Sequence, residues 1–337
     1  MTFHKISRAV AVGAAALALA TANQASAALT VFQTITGNVG LSTDGCGSTT
    51  ATCSIQAFVP AGATVTGAWL YQTVFTLPTA AVTPITLNGS AVAFDPFVVN
   101  TSAAFLGSAR ANVTAAVAAI VNPGAGGTYN FTIGEGNSSA TDGTALVVVY
   151  TLASLAVSTV TILDGFASVT GDTATINFTA PINTAAPGFT ADMRLGIGFS
   201  AGSATNPPQT STVRVNGTLI SSNAGGFDDG TLNNGALITV GGNNDAFSPL
   251  LPANSVADTE RYNLVPYITN GDTSITFQTA NASRDDNIFL LAGIFSGTAN
   301  VVTGAVPEPG TWAMMLAGFG IVGGAMRRRQ RTSISFV

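Results

Sequence analysis

PITLNGSAVAF, residues 84–94, and STVRVNGTLIS, residues 211–221, are the two stretches that decide the fold. In each, an Asn-Gly pair (Asn88-Gly89 and Asn216-Gly217) separates two short runs of apolar and β-branched residues. A two-residue type I′ turn needs positive φ at both central residues. Asn followed by Gly meets that need at low steric cost, so both stretches predict β-hairpins. Moving outward, Thr64–Phe75 alternates Val65, Gly67, Trp69 and Tyr71, and Thr128–Ile133 alternates Tyr129, Phe131 and Ile133. That period of two belongs to strands. Ala145–Tyr150 is an unbroken apolar run, as expected of a central strand of a sandwich, and Trp69 reads as core. Ser158–Leu163 and Thr173–Phe178 follow as further strands. Helix signals are confined to Val113–Val121, an alanine-rich run that Asn112 would start and Pro123-Gly124 would stop.

The two hairpins head two similar series. After the first come Asn112-Val113, a short apolar segment, a glycine turn, Thr128–Ile133, the acid Asp142 and the strand Ala145–Tyr150. After the second come Asn263-Leu264, Val265–Ile268, the turn Asn270-Gly271-Asp272, Ser274–Gln278, the acids Asp285-Asp286 and the strand Ile288–Ile294, with an insert near 221–258. The expectation is an all-β body of two related antiparallel, jelly-roll-like β-sandwich units, residues 28–180 and 181–305. An N-terminal signal helix and a short apolar C-terminal helix would flank them.

The termini have their own logic. Lys5 and Arg8 precede the apolar run Ala9–Ala20, and Ala25-Ser26-Ala27 is an A-x-A cleavage site that would start the mature chain at Ala28. Charge, run and site in that order read as a secretory signal peptide for the export translocon, residues 1–27. At the other end, Trp312–Met326 is uncharged and precedes Arg327, Arg328, Arg329 and Arg331. The run is shorter than the ~20 residues that span a bilayer and holds four glycines, so it suits a transient anchor. The arginines belong on the cytoplasmic side, which puts the body across the membrane.

Val306-Pro307-Glu308-Pro309-Gly310-Thr311-Trp312-Ala313, followed by that apolar run and the Arg cluster, resembles the PEP-CTERM sorting signal of Gram-negative bacteria (residues 306–331). The resemblance implies recognition by an exosortase, cleavage near Pro307-Glu308-Pro309, and delivery to the cell surface or outer membrane or to an exopolysaccharide matrix. The prolines can neither continue a helix nor pair in a central strand, so they hold Glu308 extended beside the membrane. Separately, Trp69-Leu70-Tyr71, Leu87-Asn88-Gly89, Ala145–Tyr150 and Ile162-Leu163-Asp164-Gly165-Phe166 resemble an uncharacterised module of bacterial adhesin-like surface proteins. That resemblance implies a sandwich and no activity.

Composition narrows the chemistry. Residues 28–305 hold five arginines, no lysine and fifteen acids, a formal charge of −10. Nucleic acid is a poor partner for such a body, because phosphate binding needs clustered bases. His4, the only histidine, lies in the signal segment, which leaves the body without a Ser-His-Asp apparatus or His-ligated metal. The expected function is a non-enzymatic surface or biofilm-matrix protein associated with exopolysaccharide. A carbohydrate-binding or calcium-dependent adhesin module is the alternative. No cofactor is expected beyond calcium, for which Asp228-Asp229 and Asp285-Asp286 are the candidate ligands, although turn acids are ordinarily just solvated. A carboxylate glycoside hydrolase would need a pair such as Glu135 with Asp142, or Asp228 with Asp285. Cys46 and Cys53, close together in an exported chain, predict a disulfide that pins a local turn.

Overall fold

The computed structural model describes residues 29–47, 51–74, 84–99, 106–136, 140–167, 171–198, 211–222, 238–248, 259–281, 287–302 and 318–319. Residues 26–303 form one compact unit. The signal segment, with Ala25, Ala27 and Ala28, lies outside the described residues. So does the tail, with Pro307, Glu308, Pro309, Trp312, Ala313 and Arg327–Arg329, save Gly318 and Phe319, which are helical. Among the described residues no helix is long and apolar enough to cross a membrane. The transmembrane helix expected over Trp312–Met326 is therefore not found among them.

The body is all-β, with four antiparallel sheets. The first inner sheet runs β2 (Val39–Cys46), β10 (Thr141–Thr151), β4 (Thr64–Val74), β8 (Gly107–Asn112) and β7 (Val98–Val99). Against it lies the first outer sheet, β3 (Thr52–Val59), β9 (Gly127–Gly134), β5 (Thr86–Leu87) and β6 (Ser90–Ala91). The second inner sheet runs β1 (Thr30–Gly37), β11 (Ser158–Asp164), β19 (Asn287–Ser296), β13 (Ala191–Gly198) and β16 (Ile238–Val240), with β17 (Arg261–Asn263) also on β13. The second outer sheet is β15 (Thr218–Ser222), β14 (Ser211–Val215), β18 (Ser274–Asn281), β12 (Asp172–Phe178) and β20 (Ala299–Val302).

The two sandwiches share one strand order. β2-β10-β4-β8 over β3-β9-β5-β6 is matched by β11-β19-β13-β17 over β12-β18-β14-β15. Each set of eight is the paired Greek-key arrangement of a jelly roll. The equivalence reaches single residues. Asn88 and Asn216 both have φ of 49°, followed by glycines at 79°, as the hairpin reading requires. Asn88 accepts from Thr132 N–H through Oδ1 at 2.8 Å, and Asn216 does the same for Thr276 at 2.9 Å. The alanine-rich helix α1 (Thr114–Val121) buries Val117 and Val121 in the first core, and Asn112 Oδ1 accepts from Thr114 N–H at 3.0 Å. A short 3-10 turn, Val265–Tyr267, stands in its place in the second sandwich, where Asn263 Oδ1 accepts from Val265 N–H.

This pairing departs from the expected division at residue 180. β11 and β12, expected in unit 1, open the second jelly roll by pairing with β19 and β18. Their alternation marks them as strands but cannot name a partner, because a distant strand supplies it. The amino-terminal strand β1 also joins the second sandwich, through β11.

Three apolar layers hold the body together. Ile55, Leu70, Phe131 and Leu146 fill the first sandwich, and Met193, Leu195, Ile275 and Phe277 fill the second. Trp69, Tyr71, Val147, Ile162, Phe289 and Leu290 fill the seam between the two inner sheets. Both inner sheets are thus covered on both faces. Along β10, Ala145, Val147 and Val149 face the seam while Leu146, Val148 and Tyr150 face the first core. This explains the unbroken apolar run. Each such side chain contributes about 1.5–3 kcal/mol on burial.

Candidate functional site

The seam also has a polar rim. β13 crosses it with Asp192 and Arg194 on one face, two residues apart, while Met193 and Leu195 point into the second core. Arg194, 4% exposed, donates to Asp192 Oδ2 at 2.9 Å, to Thr43 Oγ1 at 3.1 Å, to the Leu41 carbonyl at 3.4 Å and to Asn243 Oδ1. Arg261 donates to the same Asp192 Oδ2 at 3.1 Å and to the carbonyls of Asn243 and Asp245. Its guanidinium lies 4.6 Å from the Phe247 ring centroid, a favourable cation–π placement. The two arginines fix segment 241–248 against β2, where Asn243 N–H donates to the Thr43 carbonyl at 3.1 Å.

That segment walls an open trough of about 240 Å³. Ser42, Thr43 and Asp44 of β2 line it, with Gln56 and Phe58 of β3, Thr128 of β9, and Asn243 and Asn244. β3 is an edge strand, whose free amides need partners. Ser42 Oγ accepts from Phe58 N–H at 2.9 Å and Asp44 Oδ2 accepts from Gln56 N–H. Burial pushes the Asp44 carboxyl up to about 7 against the backbone N–H groups of Gln56 and Gly45, and the charge on Asp245 adds to the rise. The Asp245 carboxyl is also raised, by burial, against the Gly242 N–H and the two arginines. Phe58 is 42% exposed. The trough therefore offers one aromatic ring, an acid near neutrality, three amides and three hydroxyls, with no cation among its lining residues.

A second arginine cluster bridges the sandwiches at the equivalent strand. Arg110 of β8 pairs with Asp164 of β11 and, at 3.3 Å, with Asp95. Tyr71 donates to Asp164 Oδ2 at 3.1 Å, and Arg110 lies 3.5 Å from the Phe32 ring centroid. Burial raises Asp164, opposed by Arg110 and Tyr71.

The residues singled out in the sequence fall differently. Asp228, Asp229, Asp285 and Asp286 lie outside the described residues. Cys46 and Cys53 are joined by a disulfide that ties β2 to β3. Glu135 and Asp142 are 0% and 2% exposed, buried at one end of the first sandwich. A hydrolytic pair must flank an open groove, and these two do not. Asp44, Arg194 and Asn243 were missed as site residues. For Asp44 and Arg194 the sequence signal is that charge is scarce in this body, and Asn243 carries none.

Residues 305–330 match the PEP-CTERM protein-sorting motif. No curated protein and no solved structure matches the chain. The chain is thus an exosortase substrate by its tail, exported and directed to the surface, with a β-sandwich ectodomain.

Proposed function

We propose that this chain is a non-enzymatic surface or matrix protein that grips a neutral sugar unit of the surrounding exopolysaccharide in its seam trough. The observation that carries the reading is the exposed Phe58 ring set among Gln56, Asn243, Asn244, Ser42 and Thr128. An aromatic face takes the apolar side of a sugar ring, and amides and hydroxyls take its OH groups. The size suits one or two sugar units and not a long chain. The charge of −10 on residues 28–305 argues for a neutral glycan, because a polyanion would be repelled. The sorting tail supplies the address, since it delivers the body where such polysaccharide accumulates.

The test is retention of the purified protein on neutral exopolysaccharide from the producing cells. Phe58→Ala is expected to weaken retention about fivefold or more, in line with the ~1 kcal/mol or more carried by one stacked ring, without changing the melting temperature. Equal retention of Phe58→Ala and parent would overturn the trough. Release of reducing ends that disappears in Asp44→Asn would overturn the non-enzymatic reading.

A further inference from the structure

We infer that a second sugar site lies across segment 241–248 from the trough, in a cleft of about 210 Å³ on the second sandwich. Phe247, Tyr262, Tyr267, Pro266, Ile220 and Asn263 shape it. A local difference between the two sandwiches makes the room. Helix α1, eight residues long, buries Val117 and Val121 in the first core. The turn in its place, Val265–Tyr267, has three residues and buries none of them. That leaves a hollow between the turn, Ile220 of β15 and Phe247. Hydrogen bonds fix its walls. Asn216 Nδ2 donates to the Tyr267 carbonyl at 2.9 Å and pins the turn. Ser248 N–H donates to the Arg261 carbonyl at 2.7 Å, and Thr259 Oγ1 donates to the Ala246 carbonyl at 2.7 Å, so both chain neighbours of Phe247 are held. The Arg261 guanidinium lies over the Phe247 ring. The ring is thus set in place before any ligand arrives, which lowers the entropy cost of binding.

What the cleft offers identifies the ligand class. Among the described aromatic residues of the body, only Phe58 and Phe247 are exposed, at 42% and 46%. The two rings flank one short segment. Asn243 and Asn244 line the trough with Phe58, and Phe247 and Ser248 line the cleft. Asn263 is exposed and uses its Oδ1 to accept from Val265 N–H, which leaves Nδ2 free to donate. Burial alone shifts the Tyr267 hydroxyl, upward, with no hydrogen bond opposing it. An aromatic face beside two uncommitted donors suits a sugar ring, apolar on one side and rich in OH groups at its rim. A wholly apolar guest would take both donors out of water unpaired. A charged guest would meet no opposite charge, because no Asp, Glu, Lys or Arg is among the lining residues. The ligand class rests on the sugar reading of the trough, whereas the geometry of the cleft does not. Asn244 and Phe247 are three residues apart, at most ~11 Å of chain. One glycan strand therefore reaches both sites, and the first grip raises the effective concentration for the second.

The experiment uses the purified exported chain and two probes from the neutral exopolysaccharide of the producing cells: the polymer itself, and disaccharides released from it by partial acid hydrolysis. Calorimetric titration should give two disaccharides per chain for the parent and one for Phe247→Ala. Retention on the polymer should fall about fivefold or more in Phe247→Ala, and further when Phe58→Ala is added. Tyr267→Phe keeps the ring and removes only the hydroxyl, so it should weaken disaccharide binding at the cleft about fivefold with an unchanged melting temperature. That pairing of readouts separates a lost contact from a lost fold. A single disaccharide in the parent, lost in Phe58→Ala and kept in Phe247→Ala, would overturn the cleft and leave the trough standing. A single disaccharide lost in Phe247→Ala and kept in Phe58→Ala would support the cleft and remove the trough instead. No uptake of either probe would overturn both.

Discussion

The two sandwiches present different pairs to the seam from equivalent strands. On β4, Trp69 lies opposite Asn112 and Tyr71 opposite Arg110. On β13, Asp192 lies opposite Asn263 and Arg194 opposite Arg261. The first pair is aromatic, with Trp69 edge-to-face on Phe32 at 5.4 Å and Tyr71 bonded to Asp164. The second is ionic, with Asp192 held by two guanidiniums at 2.9 and 3.1 Å. One topology thus tolerates opposite chemistries at one place, provided each buried polar atom finds its partner. The aromatic pair supplies area. The ionic pair supplies direction, since Arg194 can satisfy Asp192, Thr43, Leu41 and Asn243 only when the two sandwiches sit in one register.

Four predictions, drawn from six substitutions, test that contrast, in falling order of effect. Trp69→Ala should cost roughly 4 kcal/mol, as a large buried ring leaves a cavity in the seam. The check is the urea midpoint. Arg194→Ala should cost about 3 kcal/mol, because it strands a buried carboxylate and several acceptors. Arg110→Ala, whose guanidinium is partly exposed, should cost clearly less. If both arginines cost the same, the seam is not oriented by the second.

The third concerns pH. The folded Asp44 carboxyl sits near 7, above its ordinary 3.8, so the native state holds a proton that the unfolded chain releases. Stability is then highest below about pH 4 and falls as pH rises from 4 to 7. Asp142, Asp164 and Asp245 are raised as well and act with the same sign. Asp44→Asn should gain about 2 kcal/mol over the parent at pH 8 and nothing at pH 4, read from denaturant curves at both values. Smallest, and a probe of sameness, are Gly89→Ala and Gly217→Ala. Each glycine has φ of 79° with open space where a Cβ would go, so each should cost about 1 kcal/mol from backbone strain alone. Unequal costs would mean the hairpins are not equivalent.

Much of this was legible because short-range chemistry decides it. Asn88-Gly89 and Asn216-Gly217 specify their own backbone, the run at 128–133 carries a period of two that reports burial, and the unbroken apolar run at 145–150 marks a central strand. The helix read over Val113–Val121 appears at Thr114–Val121. The stacking of four layers was not legible. Residues of β11 and β12 report that they are covered but not by what, and the Arg194–Asp192–Arg261 knot joins residues up to 69 apart in the chain. Asp44 looks like any turn acid until β3 is laid beside it. Asp142 looks catalytic or solvated until the fold buries it.

The account depends most on the seam, which makes two jelly rolls one body and builds the trough from both. Scanning calorimetry of the mature protein tests this directly. A single transition is expected, with calorimetric and van't Hoff enthalpies equal within error, and Trp69→Ala should lower it without splitting it. Two resolved transitions in the parent, each with roughly half the enthalpy, would contradict the account, because the sandwiches would then be independent domains that merely touch.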